Sequence, residues 1–235
     1  MKVPFYGIKL KGSQQIFLSE IESRHCIKVL RYKAGDEVNV LDGRGNLYSC
    51  IIFQDNFREC ILDVKEIDFK APNKYNLHII VAPPKNPDRT DWLIEKSVEM
   101  GASKISFIKS NRSVRTSIKI NRLERISIAA MKQSYSRYKL KIDEMEPLSK
   151  VFPKIDTKQR LIPHLEQGKR ILIQSELKSK VDTCILIGPE GDFTPDEINM
   201  AIENNFKPIS LGNQRLRTET AAIMVIGAFN YVNEY

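Results

Sequence analysis

Cysteine is scarce, with only Cys26, Cys50, Cys60 and Cys184 in 235 residues. No two stand at CxxC spacing and none is interleaved with histidine. A disulfide framework or a zinc site is therefore not expected, and no metal is assigned; buried free thiols are the expectation. Long hydrophobic runs are also missing. The longest apolar stretches are a few residues, far short of the roughly 20 that a membrane-spanning helix needs. The opening Met1-Lys2-Val3-Pro4-Phe5 lacks the apolar segment of a signal peptide. A cytoplasmic protein with no membrane partner is the resulting expectation. There is no internal repeat and no low-complexity segment. What remains is 42% hydrophobic and 28% charged, ordinary for a globular chain long enough for one large domain or two modest ones.

Acid is missing from one long stretch. Between Lys104 and Lys141 the basic residues are Lys104, Lys109, Arg112, Arg115, Lys119, Arg122, Arg125, Lys132, Arg137, Lys139 and Lys141, and Glu124 is the sole acid. That block outweighs the formal charge of +8 of the whole chain. It suits a polyanion through counterion release and steering. A solvated helix face kept for solubility has the same composition.

The chain changes character near Ala71-Pro72-Asn73. Before it, Ile16–Leu18, Glu37–Leu41 and Leu47–Phe53 are short β-type runs, and the glycines of Asp42-Gly43-Arg44-Gly45-Asn46 suit a tight hairpin. A small barrel or sandwich is expected over residues 1–72. After it, strands are expected at Leu77–Ala82, Ile105–Ile108, Leu161-Ile162, Cys184–Ile187 and Lys207–Leu211. Helices are expected at Asp91–Met100, Asn121–Ser134, from Thr194 onward, and at Thr218–Val232, with Gly101 ending the first and Thr218 capping the last. Thr194-Pro195-Asp196-Glu197 is a capping box with proline at the first helical position. This alternation predicts an α/β domain with a mainly parallel sheet over residues 73–235.

Three segments follow strands, where parallel sheets bind ligands. Ile187-Gly188-Pro189-Glu190-Gly191-Asp192-Phe193 offers two glycines around a rigid proline. A plain tight turn asks for the same residues, and neither GxGxxG nor GxxxxGK[ST] is present. Leu211-Gly212-Asn213-Gln214-Arg215-Leu216-Arg217-Thr218-Glu219-Thr220-Ala221 repeats the logic of strand end, glycine, short loop and helix start. Lys85-Asn86-Pro87-Asp88-Arg89, with Lys96 beyond it, could bind phosphate near a helix N-terminus, or could pair within the helix, as Glu95 with Arg89 or Lys96.

Taken in order, these segments resemble the 16S ribosomal RNA uracil-N3-methyltransferases of the SPOUT superfamily. The resemblance begins with Arg24-His25, Val29-Leu30-Arg31, Gly35-Asp36, Asp42-Gly43 and Gly45. It continues through Lys85, Arg89, Trp92-Leu93-Ile94, Lys96, Glu99, Gly101, Asn111-Arg112-Ser113, and Gln133-Ser134 with Arg137. It ends with Ile187–Phe193 and Leu211–Ala221, of which the last is the most specific. It spans nearly the whole chain, with two departures. Lys132 stands where the family often has glutamate, and Asp192 where it often has a second glycine. The first is expected to alter the RNA contact and the second the approach of the loop to the cofactor.

The resemblance implies a PUA-like N-terminal β-barrel joined to an α/β domain tied in a trefoil knot, a homodimer, and S-adenosyl-L-methionine as cofactor. It places the cofactor on Leu161, Ile162, Pro163 and His164, on Ile187, Gly188, Pro189, Glu190 and Gly191, and on Leu211, Gly212, Leu216, Arg217, Thr218, Thr220 and Ala221. His164 could equally be a structural histidine. The implied substrate is 16S rRNA of the small ribosomal subunit, not DNA. Arg24, His25, Arg31, Lys85, Arg89, Lys96, Arg112, Arg115 and Arg137 are the implied RNA contacts. For the chemistry, Arg217 and then Arg215 are candidates to stabilise the uridine anion, and Glu219 or Glu190 to take its proton. Two rivals stand beside this: another SPOUT methyltransferase acting on a ribose 2′-OH or a tRNA base, and a non-catalytic RNA-binding assembly factor.

Overall fold

The computed structural model describes residues 3–165 and 171–234; the first two and the last residue of the expected domains lie outside the described residues. The chain forms two compact units, residues 1–72 with 128–139, and residues 73–127 with 140–235.

The first unit holds β1 (Phe5–Tyr6), β2 (Gln15–Phe17), α1 (Glu20–Arg24), β3 (Glu37–Leu41), β4 (Asn46–Gln54) and β5 (Ile61–Phe69). The strands make one sheet in the order β1-β3-β4-β5-β2, antiparallel except for β1 with β3. Its core is Phe5, Ile16, Leu18, Cys26, Val38, Val40, Cys50, Ile52, Cys60 and Leu62. The alternation along β3 and β4 puts every second side chain there. The hairpin between them is organised by Asp42. Its Oδ1 accepts from the N–H groups of Arg44 and Asn46 at 2.7 and 3.1 Å, and its Oδ2 from the Tyr48 hydroxyl at 3.1 Å. Gly45 in that turn has φ +107°, and a Cβ there would lie 2.5 Å from Tyr138 Oη and 2.7 Å from the Lys70 carbonyl oxygen. Only glycine fits both constraints. After α1 the backbone continues as a π-helical turn over His25–Val29, which the sequence pattern did not indicate.

The second unit holds β6 (Leu77–Val81), α2 (Pro87–Glu99), β7 (Lys104–Lys109), α3 (Ile120–Ser134, whose last turns belong to the first unit), β8 (Lys141–Pro147), α4 (Leu148–Val151), β9 (Gln159–Pro163), β10 (Ile171–Leu172), α5 (Ile173–Glu176), β11 (Thr183–Ile187), α6 (Pro195–Glu203), β12 (Lys207–Ser210) and α7 (Thr218–Asn233). Seven strands pair in parallel in the order β10-β12-β9-β11-β6-β7-β8. β6 and β11 are buried along their whole length, as the continuous apolar runs required. Ile80, Ile162, Cys184 and Leu186 pack with Leu148, Phe152, Phe193, Ile198 and Phe206 in one core. α7 packs on β6, β11 and α2. All four cysteines are buried thiols.

Two helix starts differ from expectation for a reason their side chains give. α2 begins at Pro87, four residues early, because the Asn86 side chain caps it by accepting from the Asp88 N–H at 2.9 Å. The cap of α7 is Arg217, not Thr218. Thr218 lies inside the helix, and its hydroxyl donates to the Gly188 carbonyl at 3.0 Å. It ties α7 to the loop after β11 instead of closing its own helix end.

Candidate active site at the C-terminal edge of the sheet

β9, β11 and β12 are neighbours in register, so the loops that leave their C-terminal ends emerge side by side. They enclose an open cavity of about 600 Å³, counted to its mouth. Pro163, His164 and Leu165 come from the first loop, Ile187 to Glu190 and Asp192 from the second, and Ser210 to Gly212, Gln214 to Leu216, Thr218 and Ala221 from the third.

Each loop is held by a neighbour. Asp192 stands at φ +62°, the left-handed conformation that glycine adopts freely. Its Oδ1 accepts from the Phe193 N–H at 2.8 Å and its Oδ2 from the Leu165 N–H at 2.6 Å. Aspartate at the position where the family often has glycine thus keeps the glycine-like backbone and adds a clamp on the first loop. Arg215 Nη2 donates to the Glu190 carbonyl at 3.0 Å, which joins the third loop to the second. The Glu190 carboxylate accepts from the Lys85 N–H at 2.9 Å. Arg112 Nη1 donates to the carbonyls of Gly191 and Phe193 at 2.9 and 3.2 Å. A Cβ on Gly191 would meet Arg112 Cβ at 3.3 Å, so this close brace depends on glycine.

Of the residues expected at the cofactor, Pro163, His164, Ile187, Gly188, Pro189, Glu190, Leu211, Gly212, Leu216, Thr218 and Ala221 line the cavity. Leu161 and Ile162 do not, because both are fully buried in β9 as sheet core. Gly191, Arg217 and Thr220 are exposed outside the lining. Leu165, Asp192, Ser210, Gln214 and Arg215 line the cavity and were not expected as cofactor contacts. Their place follows from loop curvature, which sequence spacing does not encode. Glu219 is 7% exposed, with Oε1 3.6 Å from Arg89 Nε and with no hydrogen-bond partner for Oε2.

The expected RNA contacts sort by what already holds them. Lys96 is tied to Glu95 and Glu99 at 2.7 and 2.9 Å, which favours the intrahelical alternative over a phosphate contact. Arg89 faces Glu219, Arg112 braces the second loop, and Arg137 pairs with Asp68. Arg24, Arg31 and Lys85 are exposed, while His25 packs edge-on against Phe5. Lys132 forms a 2.7 Å ion pair with the buried Glu22, so at this departure from the family pattern the ammonium is held against the protein's own carboxylate.

Residues 71–230 match the family model for an RNA methyltransferase domain, and residues 18–65 match that for an RNA methyltransferase PUA domain. The ribosomal RNA small subunit methyltransferase E of Rickettsia conorii is 31% identical over 94% of this chain and 92% of that protein. This chain belongs to the ribosomal RNA small subunit methyltransferase E family. The Aquifex aeolicus member is 28% identical over 94% of this chain and 96% of its own length. Among solved structures, a probable rRNA-methyltransferase from Porphyromonas gingivalis superposes with a TM-score of 0.91 at 34% identity, covering 99% of each chain. The family member from Neisseria gonorrhoeae, crystallised bound to S-adenosyl methionine, shares the fold with a TM-score of 0.87 at 24% identity, covering 99% of this chain and 98% of its own. Membership fixes the fold class as a parallel-sheet methyltransferase domain with a PUA-like N-terminal domain.

Proposed function

We propose that this chain uses S-adenosylmethionine to methylate N3 of a uridine in 16S rRNA of the small ribosomal subunit. The observation that carries this reading is the convergence of three strand-end loops on one cavity at the C-terminal edge of the parallel sheet. The cavity suits the cofactor chemically. Pro163, Ile187, Leu211, Leu216 and Ala221 offer apolar surface for adenine, and Asp192 offers a carboxylate for the cationic groups. The bound cofactor supplies an electrophilic methyl group on a sulfonium.

The protein's part is to present the base and manage its proton. Neutral uridine carries a proton on N3 and attacks poorly. Losing it gives an anion spread over N3, O2 and O4, which a fixed guanidinium stabilises. Arg217 and Arg215 remain the two candidates, and the position of Arg215 in the cavity wall favours it. Glu190 lines the same cavity, which supports it over the buried Glu219 as the group that takes the N3 proton. N3 lies on the Watson–Crick edge, so the target must be unpaired or swung out. Residues 1–72 are read as the RNA-binding PUA-like domain, with Arg24, His25 and Arg31 at its surface, and residues 73–235 as the methyltransferase domain. A trefoil knot, a homodimer and a cytoplasmic location belong to the same reading.

The test is direct. Purified protein is incubated with unmodified small subunits and S-adenosylmethionine carrying a labelled methyl group, and the digested RNA is read by mass spectrometry. Label in 3-methyluridine is expected. Label on a ribose or another base would replace the target, and no label on subunits or naked RNA would return the chain to a binding role. Arg215→Ala is expected to lower turnover at least tenfold while RNA still binds; intact turnover would remove its role.

A further inference from the structure

Part of the basic block is already engaged where it stands. Lys104 pairs with Asp143, Arg122 with Asp91, Lys132 with Glu22 and Arg137 with Asp68, while Arg112 is held by carbonyl oxygens. Arg115 differs. Its Nε is buried and has no hydrogen-bond partner. It lines a second cavity of about 480 Å³ between the N-terminal turn of α2, the segment before α3 and the first turn of α3. Lys119 and Arg122 line it too, with Asp91 as its one acid. Asp91 is engaged by Arg122, so the cavity keeps two further positive charges. The Thr90 side chain also lines it, 3% exposed, and its buried hydroxyl likewise has no partner. A buried guanidinium N–H and a buried hydroxyl left unsatisfied in one cavity are costly unless a ligand completes them. Lys119, Arg122 and Arg125 line the adjoining open depression, with Glu144 as its acid.

We propose that this cavity is a phosphate site that takes one backbone phosphodiester of the rRNA substrate, bound by Arg115, Lys119 and the Thr90 hydroxyl. The inference rests on the RNA methyltransferase reading and names where the substrate backbone is gripped. Phosphate oxygens accept from a guanidinium, an ammonium and a hydroxyl alike, and the phosphate charge answers the surplus of the cavity.

The test measures binding of a single-stranded 16S rRNA fragment as a function of salt. Thr90→Val removes the hydroxyl and keeps the volume. It should weaken binding about tenfold. Arg115→Ala should lower the magnitude of the salt slope by about 0.7, the value of one phosphate contact on a single strand. Lys150→Ala, an equal charge loss on α4, should leave the slope unchanged. An unaltered slope in Arg115→Ala, or an equal fall in Lys150→Ala, would overturn the site in favour of general basicity. Titration with inorganic phosphate separates the sources. Phosphate capture lost in both cavity variants, with RNA binding unaffected, would mean a free phosphate and overturn the backbone assignment. S-adenosylmethionine binding, measured by calorimetry on the same proteins, reports separately on the methyltransferase reading.

Discussion

On the sheet face covered by α4, the His78 Nε2 lies 2.7 Å from the Ser106 hydroxyl oxygen, which donates to Asp143 Oδ2 at 2.6 Å. Lys104 Nζ reaches the same carboxylate oxygen at 2.6 Å. With its own proton given to Asp143, Ser106 can only accept from His78, which assigns the Nε2–H neutral tautomer. Burial, reinforced by the Lys104 charge, pushes the His78 pKa down from 6.5 to about 4. Burial opposes ionisation of Asp143, but the bonds from Lys104 and Ser106 hold its carboxyl below the ordinary 3.8. The sign follows from linkage. Between pH 6.5 and 4 the unfolded chain binds a proton that the folded chain refuses, so the neutral-histidine contribution is full above 6.5 and lost as pH falls toward 4. At about 1.4 kcal/mol per pKa unit, the loss is on the order of 3 kcal/mol. Urea midpoints measured across that window should fall for the wild type. The fall should be much shallower in His78→Gln, which has no titrating group. An equal fall in both would show that His78 does not stay neutral in the folded protein.

At the scale of the element, Glu22 on α1 and Lys132 near the end of α3 are both inside the first unit, with side chains 10% and 12% exposed. Glu22 Oε2 also accepts from the Tyr6 N–H at 3.2 Å, so one carboxylate joins α1, β1 and the last turns of α3. Removing one partner of such a pair leaves the other charge buried. Lys132→Ala should therefore cost about 3 kcal/mol in urea unfolding, and the Glu22→Gln, Lys132→Met double variant less than the sum of its singles. A loss below about 0.5 kcal/mol would mean that water already screens the pair. None of this could be read from the chain, because the partners are 110 positions apart. The same limit explains which elements were legible. β6 and β11 announced themselves by unbroken apolar runs, and α6 by its capping box, whose two reciprocal bonds are both present. β8, Lys-Ile-Asp-Glu-Met-Glu-Pro, lies at the sheet edge with mostly half-exposed side chains, so neither apolar periodicity nor β-propensity marks it. The exposed half of β5 is hidden in the same way. At the site, glycine and proline announced the second and third loops, but the Asp192 clamp on Leu165 required the fold.

At the scale of the molecule, α7 is the element that one copy of the chain does not fully cover. Thr218–Asn233 contains a single acid, Glu219, and no basic residue. Val225, Ile226, Phe229 and the alanines Ala221 and Ala222 face inward and are buried. The other side is apolar as well, with Met224 at 42% and Tyr231 at 87% exposure, and Trp92 on the adjoining α2 is 42% exposed. A helix that is apolar all round is one that is buried all round in its working state. This supports the homodimer of the proposed reading, with the open side of α7 covered by a second copy. Charge placed there should be tolerated by an isolated chain and rejected by a dimer interface. Met224→Glu and Tyr231→Glu should each halve the mass measured by sedimentation at micromolar concentration while the urea midpoint of the chain changes little. Because Ala221 of the same helix lines the cavity proposed for the methyl donor, the separated chains should also bind S-adenosylmethionine more weakly. A dimer that survives both substitutions would place the interface elsewhere and leave the apolar side of α7 for another partner.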